Sequence, residues 1–511
     1  YEFTRNAIKE FEERIRLGAI FLNENETLAN EIVMKHKTEE IQAGLNNSAD
    51  FLASHHFFKV KDKIEESEVF KFIQKMPKGA NLHGHSSAMV SLEWLLKNAT
   101  YRPGVILYTD PNNVTKLTFR RPDPPIQWYY LADLRNSSGD IEAFDKWLES
   151  KLTLYTPTPE TDYPDIDVVW TRFEHMFSTI HELLRYLPLF LDSYRQILQE
   201  LADDNVMYTE FRSGFGDLYD DAGKTYDAVE QTELLINLVE DFKKENPNFF
   251  GAKAIVSGSR NQLLQGNMRD IEAFITLKER FPDFIVGFDV TAQEKNHNAN
   301  FKFIEALQRL PRGTKFFFHA GETTQEKNHN ANFKFIEALQ RLPRGTKFFF
   351  HAGETNWYGT NVDENLIDAI LMNTTRIGHG YALLKHPYLL ETVKKQRIGI
   401  EVNPISNQVL HLVSDLRNHP ASFYLSQGLS VSISNDDPGF WSAKGLSYDY
   451  YYAFMAIAPA NAGLETLKKF AWTSLEQSVL SDKEWMTVSD MFHAQWDKFI
   501  QNVTAEDQST A

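Results

Sequence analysis

Four short stretches place imidazoles and carboxylates where metal-assisted hydrolysis would need them. His83-Gly84-His85 closes an apolar run. Residues i and i+2 of a strand share one face, so both rings can reach a single ion. His351-Ala352-Gly353-Glu354, Gly378-His379-Gly380 and Asn435-Asp436-Asp437-Pro438 end later runs of the same kind. His83, His85, His351 and Asp436 make a nitrogen and oxygen ligand set suited to one Zn²⁺ with a position left for water, whose pKa the ion would bring towards neutrality. Glu354, one turn past a ligand, is placed to move a proton. His379 is a second base or an electrostatic stabiliser, and Asp437 a hydrogen-bond acceptor for substrate.

These groups must be brought together by the elements between them. Apolar, β-branched runs at 79–85, 205–212, 252–258, 283–290, 346–353, 375–380, 397–404 and 429–436 each end in a polar or Gly-containing turn and lead into a helix-length segment. Eight such strands predict an α/β fold, a (β/α)8 barrel of the TIM type, with the catalytic groups at the strand C-termini. Residues 1–75 read as an N-terminal helical domain, 76–505 as the barrel, and 100–166, rich in Pro, Tyr and Asp, as a subdomain inserted after the first strand.

An exact tandem repeat interrupts this order, because QEKNHNANFKFIEALQRLPRGTKFFFHAGET occurs at 293–323 and again at 325–355. His319 and Glu322 therefore duplicate His351 and Glu354. A closed barrel has room for one copy of this strand. Either copy can fill that place with the other looped out: the first keeps the connection from GFDV direct, and the second, which runs on through NWYGTNVDENLIDAILMNTTRIGHG, is the choice that the family resemblance given below implies.

Bulk properties narrow the function classes. The chain has 511 residues, 70 Asp and Glu against 53 Lys and Arg, and a net charge of -17, a field that repels phosphate backbones and argues against nucleic acid. No apolar run is long enough to span a bilayer, and no Gly-rich phosphate loop occurs. The absence of Cys removes thiolate nucleophiles, disulfides and Cys-ligated metals. Sequons at Asn25, Asn46, Asn98, Asn113, Asn136, Asn373 and Asn502, with Tyr1 in place of an initiator Met, lead to the expectation of a secreted, extracellular glycoprotein whose signal peptide has been removed.

MPKGANLHGH, HAGET, RIGHGYAL and SISNDDPGFW resemble the metal-site motifs of the adenosine deaminase family, within the amidohydrolase barrels. The helical N-terminus, the YRP insert, VNPISNQVLHLVSDLRNHP and KGLSYDYYYAFM are similar to its secreted branch, the adenosine deaminase-related growth factors. The resemblance implies zinc-dependent hydrolysis of adenosine and 2′-deoxyadenosine to inosine and 2′-deoxyinosine plus ammonia. His83, His85, His351 and Asp436 would hold one zinc per subunit, and an activated water would attack C6. Glu354 would protonate ring N1, His379 would orient and deprotonate the water, and Asp437 would hold N7. Trp170 aligns with a tryptophan of the nucleoside pocket, and Glu294 belongs to the substrate-facing turn Thr291-Ala292-Gln293-Glu294, where the family carries Gly at the position of Ala292. The family further implies a homodimer built by the N-terminal helices and a cell-surface receptor for the insert. The alternative to an enzyme is a growth-factor-like, receptor-binding protein that acts without catalysis. This chain departs from the branch in lacking the insert's cysteine pair and in carrying Ser259 where a His contacts the ribose.

Overall fold

The computed structural model describes residues 1–8, 21–259, 264–294 and 346–510. The duplicate-copy alternatives His319 and Glu322 lie outside the described residues.

Among the described residues there are eight barrel strands: β1 (Ala80–Asn81), β2 (Tyr208–Ser213), β3 (Gly251–Ser259), β4 (Ile285–Thr291), β5 (His351–Ala352), β6 (Arg376–His379), β7 (Gly399–Val402) and β8 (Val431–Ile433). They pair in parallel as two four-stranded sheets, β1-β2-β3-β4 and β5-β6-β7-β8. Two isolated bridges join the sheets, Phe288 with Phe348 and Gly84 with Asp436. At the first, Phe349 N donates to Phe288 O at 3.2 Å; at the second, His85 N donates to Asp436 O at 3.2 Å. Every residue of β2, β6, β7 and β8 is buried, as strands covered by the barrel interior on one face and by helices on the other must be. The fold is the TIM-type barrel that the alternation predicts.

The regular pairing of β1 stops at Asn81, short of the run expected to 85. His83 and His85 lie beyond it, held by the bridge to Asp436 and by Arg212 N, which donates to Gly84 O at 2.8 Å. The β5 strand comes from the second repeat copy, whereas β4 runs directly into Gln293 and Glu294 of the first.

The helix Glu24–Asn46 starts at a capping box, in which Asn23 and Glu26 satisfy each other's backbone N–H groups. It is tied to the C-terminal part of the chain: Lys37 Nζ donates to Pro459 O at 3.0 Å and Ala462 O at 2.9 Å, and Trp496 Nε1 donates to Glu26 at 2.8 Å. Shorter helices, Phe57–Glu66 and Glu68–Lys75, lead into the barrel. The insert contains a three-stranded antiparallel sheet, ordered Thr115–Thr118, Ile106–Thr109, Trp128–Tyr130, beside the helices Leu131–Ser137 and Ile141–Glu149. With no disulfide, its core is Leu107, Leu117, Leu131 and Leu148, all buried. Arg135 adds hydrogen bonds to Thr100 O and Asp145. No helix among the described residues is long and apolar enough to cross a membrane.

Candidate metal and proton-transfer site

Four imidazoles and two carboxylates meet at the C-terminal mouth of the barrel. The ring of His83 lies 5.5 Å from His85, 4.6 Å from His351 and 4.8 Å from His379, centre to centre. The Nε2 atoms of His83 and His85 are both 3.3 Å from Asp436 Oδ1. Gly378 leaves room for this convergence, since a Cβ there would stand 3.0 Å from the His83 ring. His379 (φ 61°), the last residue of β6, and Asp436 (φ 58°), just past β8, take left-handed backbone conformations, the kind of local cost found at functional sites.

A buried ionic lattice under the mouth aims two of these rings. His83 Nδ1 donates to Glu401 at 2.7 Å, and His351 Nδ1 donates to Asp289 at 2.7 Å. With the proton of each ring committed on Nδ1, the Nε2 lone pairs face the cluster. Arg212 joins the two carboxylates, 2.6 Å from Asp289 and 2.7 Å from Glu401, and Arg376 links Glu401 at 2.5 Å to Glu210 at 2.8 Å. Burial by itself would raise Glu401, yet Arg212 and Arg376 hold it well below the usual carboxylate range. Asp289 is likewise depressed, by His351 and Arg212 against burial. His351 is pushed down to about 3, chiefly by burial, so the ring is neutral and ready to ligate.

The donor set fits a divalent cation. His83 Nε2 and Asp436 Oδ1 are buried without a hydrogen bond, although they face each other. Burial and Arg212 lower the His83 pKa, while Asp436 and Glu401 outweigh them and raise it; a cation between ring and carboxylate would take the place of that proton. His83, His351, His379 and Asp436 offer ligand atoms within 4.8 Å of one another, as do His85, Asp436 and Asp437. Three of the residues expected as ligands, His83, His351 and Asp436, thus share one cluster with His379, while His85 joins it through Asp436.

Glu354 is 6% exposed, with Oε1 3.6 Å from His379 Nε2. Asp437 is buried, and burial followed by the charge of Asp436 raises its pKa well above the usual range. The raised pKa favours the protonated form, which can donate to a lone pair such as N7 as well as accept. Trp170, 4% exposed, lines a cavity of about 1110 Å³ together with Phe173, His85, Glu354, His379 and Asp437. Glu294 corrects the expectation of a substrate contact: it is 2% exposed, does not line the cavity, and accepts from Gly353 N at 3.2 Å and Asn365 Nδ2 at 2.9 Å, holding the turn that carries Glu354. Ser259 does line the cavity, and Ala292 sits at φ 87°, where Gly would be unstrained.

Sequence reasoning missed Arg212, Glu401, Asn403, Asn407 and His419. The available signal was a charge inside an apolar strand, Arg212 in NVMYTEFR and Glu401 in RIGIEVNP.

A family model described as adenosine deaminase matches residues 323–494, and one described as adenosine/AMP deaminase N-terminal matches residues 1–73. A Phlebotomus duboscqi protein named adenosine deaminase is 39% identical over 493 residues, 95% of this chain and 89% of its own length. Homo sapiens adenosine deaminase 2 is 37% identical over 504 residues, 97% of this chain and 92% of its own. Among solved structures, adenine deaminase from Arthrobacter aurescens superposes with a TM-score of 0.54 at 16% identity, covering 83% of this chain and 99% of the other. An Arabidopsis N6-mAMP deaminase gives 0.53 at 15% identity, with 83% and 99% coverage. At such identity these two speak for the barrel alone, and the full-length relatives carry the assignment: the chain belongs to the adenosine deaminase family.

Proposed function

We propose that this chain is a zinc-dependent adenosine deaminase, hydrolysing adenosine and 2′-deoxyadenosine to inosine or 2′-deoxyinosine and ammonia. The observation that carries the reading is the convergence of His83, His85, His351 and Asp436 beside Glu354, at the floor of a cavity flanked by Trp170. Relatives named adenosine deaminase support the substrate. The four residues would hold Zn²⁺, which when bound lowers the pKa of water enough to make a nucleophile at neutral pH. A neutral purine amine also needs a proton on the ring before water can add at C6. Glu354 supplies it to N1, Asp437 donates to N7, and His379 orients the water.

Conversion of adenosine is tested by following inosine and ammonia together, with adenine and AMP in parallel. Equal release of the two products from adenosine and 2′-deoxyadenosine is expected. Preference for adenine or AMP would sink the reading.

We further propose that the protein is a secreted glycoprotein and a homodimer. All the sequon asparagines, Asn25, Asn46, Asn98, Asn113, Asn136, Asn373 and Asn502, are exposed, as glycosylation requires. Phe3, Phe21 and Leu45 near the N-terminus are 87%, 87% and 73% exposed, apolar surface that a second copy would cover. Sedimentation of the chain expressed through a secretory route, before and after glycosidase treatment, checks both; a monomer of unshifted mass contradicts them.

A further inference from the structure

We propose that Asn407 and His419 fix the tautomer of His379 with its proton on Nε2, so that the ring serves the attacking water as a hydrogen-bond donor and not as its base. The inference rests on the deaminase reading for the role of the water, but the tautomer itself follows from hydrogen-bond direction alone.

The chain of donors begins at a group that cannot reverse. Ala421 N–H donates to His419 Nδ1 at 3.0 Å, so that nitrogen carries the lone pair. His419 is 1% exposed, and burial pushes its pKa down to about 3, so the ring is neutral and its proton is on Nε2. His419 Nε2 stands 2.9 Å from Asn407 Oδ1, to which it donates. The Asn407 amide is thereby oriented, its oxygen spent on His419. Its Nδ2, which can only donate, is 3.0 Å from His379 Nδ1. His379 Nδ1 must therefore accept, and the single proton of the neutral ring is left on Nε2. Asn403 places its amide nitrogen 3.4 Å from both ring nitrogens of His379 and so favours neither tautomer.

Two consequences follow for the site. His379 Nε2 points between Glu354 Oε1 at 3.6 Å and Asp436 Oδ2 at 3.7 Å, within the ligand cluster. A nitrogen that carries a proton has no lone pair for a metal, which sets His379 apart from His83 and His351 even though all three crowd the same point. A proton-bearing Nε2 also cannot take a proton from water. The ring orients the water by donation, and the proton lost on activation passes to the Glu354 carboxylate, whose Oε1 lies 3.6 Å from His379 Nε2 and which delivers it to N1. Asn407 and His419 are positioning residues, since they act on the water only through His379.

Two-bond proton–nitrogen correlation spectra of the zinc-loaded chain, with isotope-labelled histidine, read the tautomer directly. His379 is assigned by the signal lost in His379→Gln or, should that variant not fold, by the signal displaced in His419→Gln. A pyridine-type Nδ1 and pyrrole-type Nε2 are expected near neutral pH; a pyrrole-type Nδ1 would overturn the proposal. Kinetics give a second test. Asn407→Asp offers His379 Nδ1 only acceptors and should lower kcat by about 100-fold, less than the roughly 10⁴-fold that a wrong tautomer costs a catalytic triad because here the ring orients the water and is not its base, with KM changed by less than about threefold. His419→Phe, which keeps a ring but no donor, should lower kcat by about tenfold, and His419→Gln, whose amide can again donate to Asn407, should recover most of that loss. An Asn407→Asp protein that folds, binds zinc and keeps its kcat would also overturn the proposal, whereas adenosine inertness of the unmodified chain would count against the deaminase reading and leave the tautomer to the spectrum.

Discussion

Glu354→Gln should lower kcat for adenosine by about 10³-fold, near the middle of the range for losing a positioned general acid. The glutamine keeps the shape of the side chain, so KM should move little. Metal content should not move at all, because Glu354 lies beside the ligand cluster and not within it. Steady-state kinetics and metal analysis on the same preparation check both halves. A loss under tenfold would remove Glu354 as the proton donor to N1, and a loss of metal would make it a ligand. The same variant separates the enzyme from its rival: a growth-factor-like effect that survives in Glu354→Gln would owe nothing to deamination.

Arg212→Met should destabilise the chain by about 3 to 5 kcal/mol, the usual effect of removing one partner from a buried ionic cluster. Arg212 is fully buried and touches Asp289, Glu401, Leu82 O and Phe349 O. Without it, two buried carboxylates lose a cation that offsets their desolvation, and these are the groups that orient His351 and His83. Weaker zinc retention should accompany the lost stability, by about 10- to 100-fold in affinity, as for other residues that orient metal ligands. Denaturant unfolding of the chelated chain isolates the stability term, and competition with a chelator measures the metal term. A change under about 1 kcal/mol would show that the lattice is dispensable to the fold.

The barrel was legible because its strands are short, apolar and separated by helix-length segments, and the candidate ligands because each lies at or just past a strand. His83, His85, His351 and Asp436 needed only the rule that barrel chemistry gathers at strand C-termini. The groups that aim them were not legible. Glu401 and Asp289 lie inside strands, where a carboxylate reads as an anomaly until the ring it holds is seen across the barrel. His419 and Asn407 act through hydrogen-bond direction, which sequence spacing does not encode. Glu294 misled for a related reason: its place in a substrate-facing turn suggested a ligand contact, whereas its carboxylate accepts from the Gly353 N–H. For Asp437, sequence shows a carboxylate but not the burial and the Asp436 charge that raise its pKa.

The tandem repeat bears on every assay. The barrel takes Glu294 from the first copy and His351 and Glu354 from the second. Because the copies are identical, deleting residues 293–324 or residues 324–355 produces the same shortened chain. That chain retains one strand and one turn without a choice of copy, and so serves as the reference for the full-length protein.

Titration of the chelated full-length chain with Zn²⁺, reading adenosine turnover at each addition, tests the central claim most directly. The account predicts activity that is absent without metal, rises linearly and saturates at one ion per chain. Turnover undiminished by complete metal removal, or a rise that saturates only at two ions, would contradict a single site made by His83, His85, His351 and Asp436.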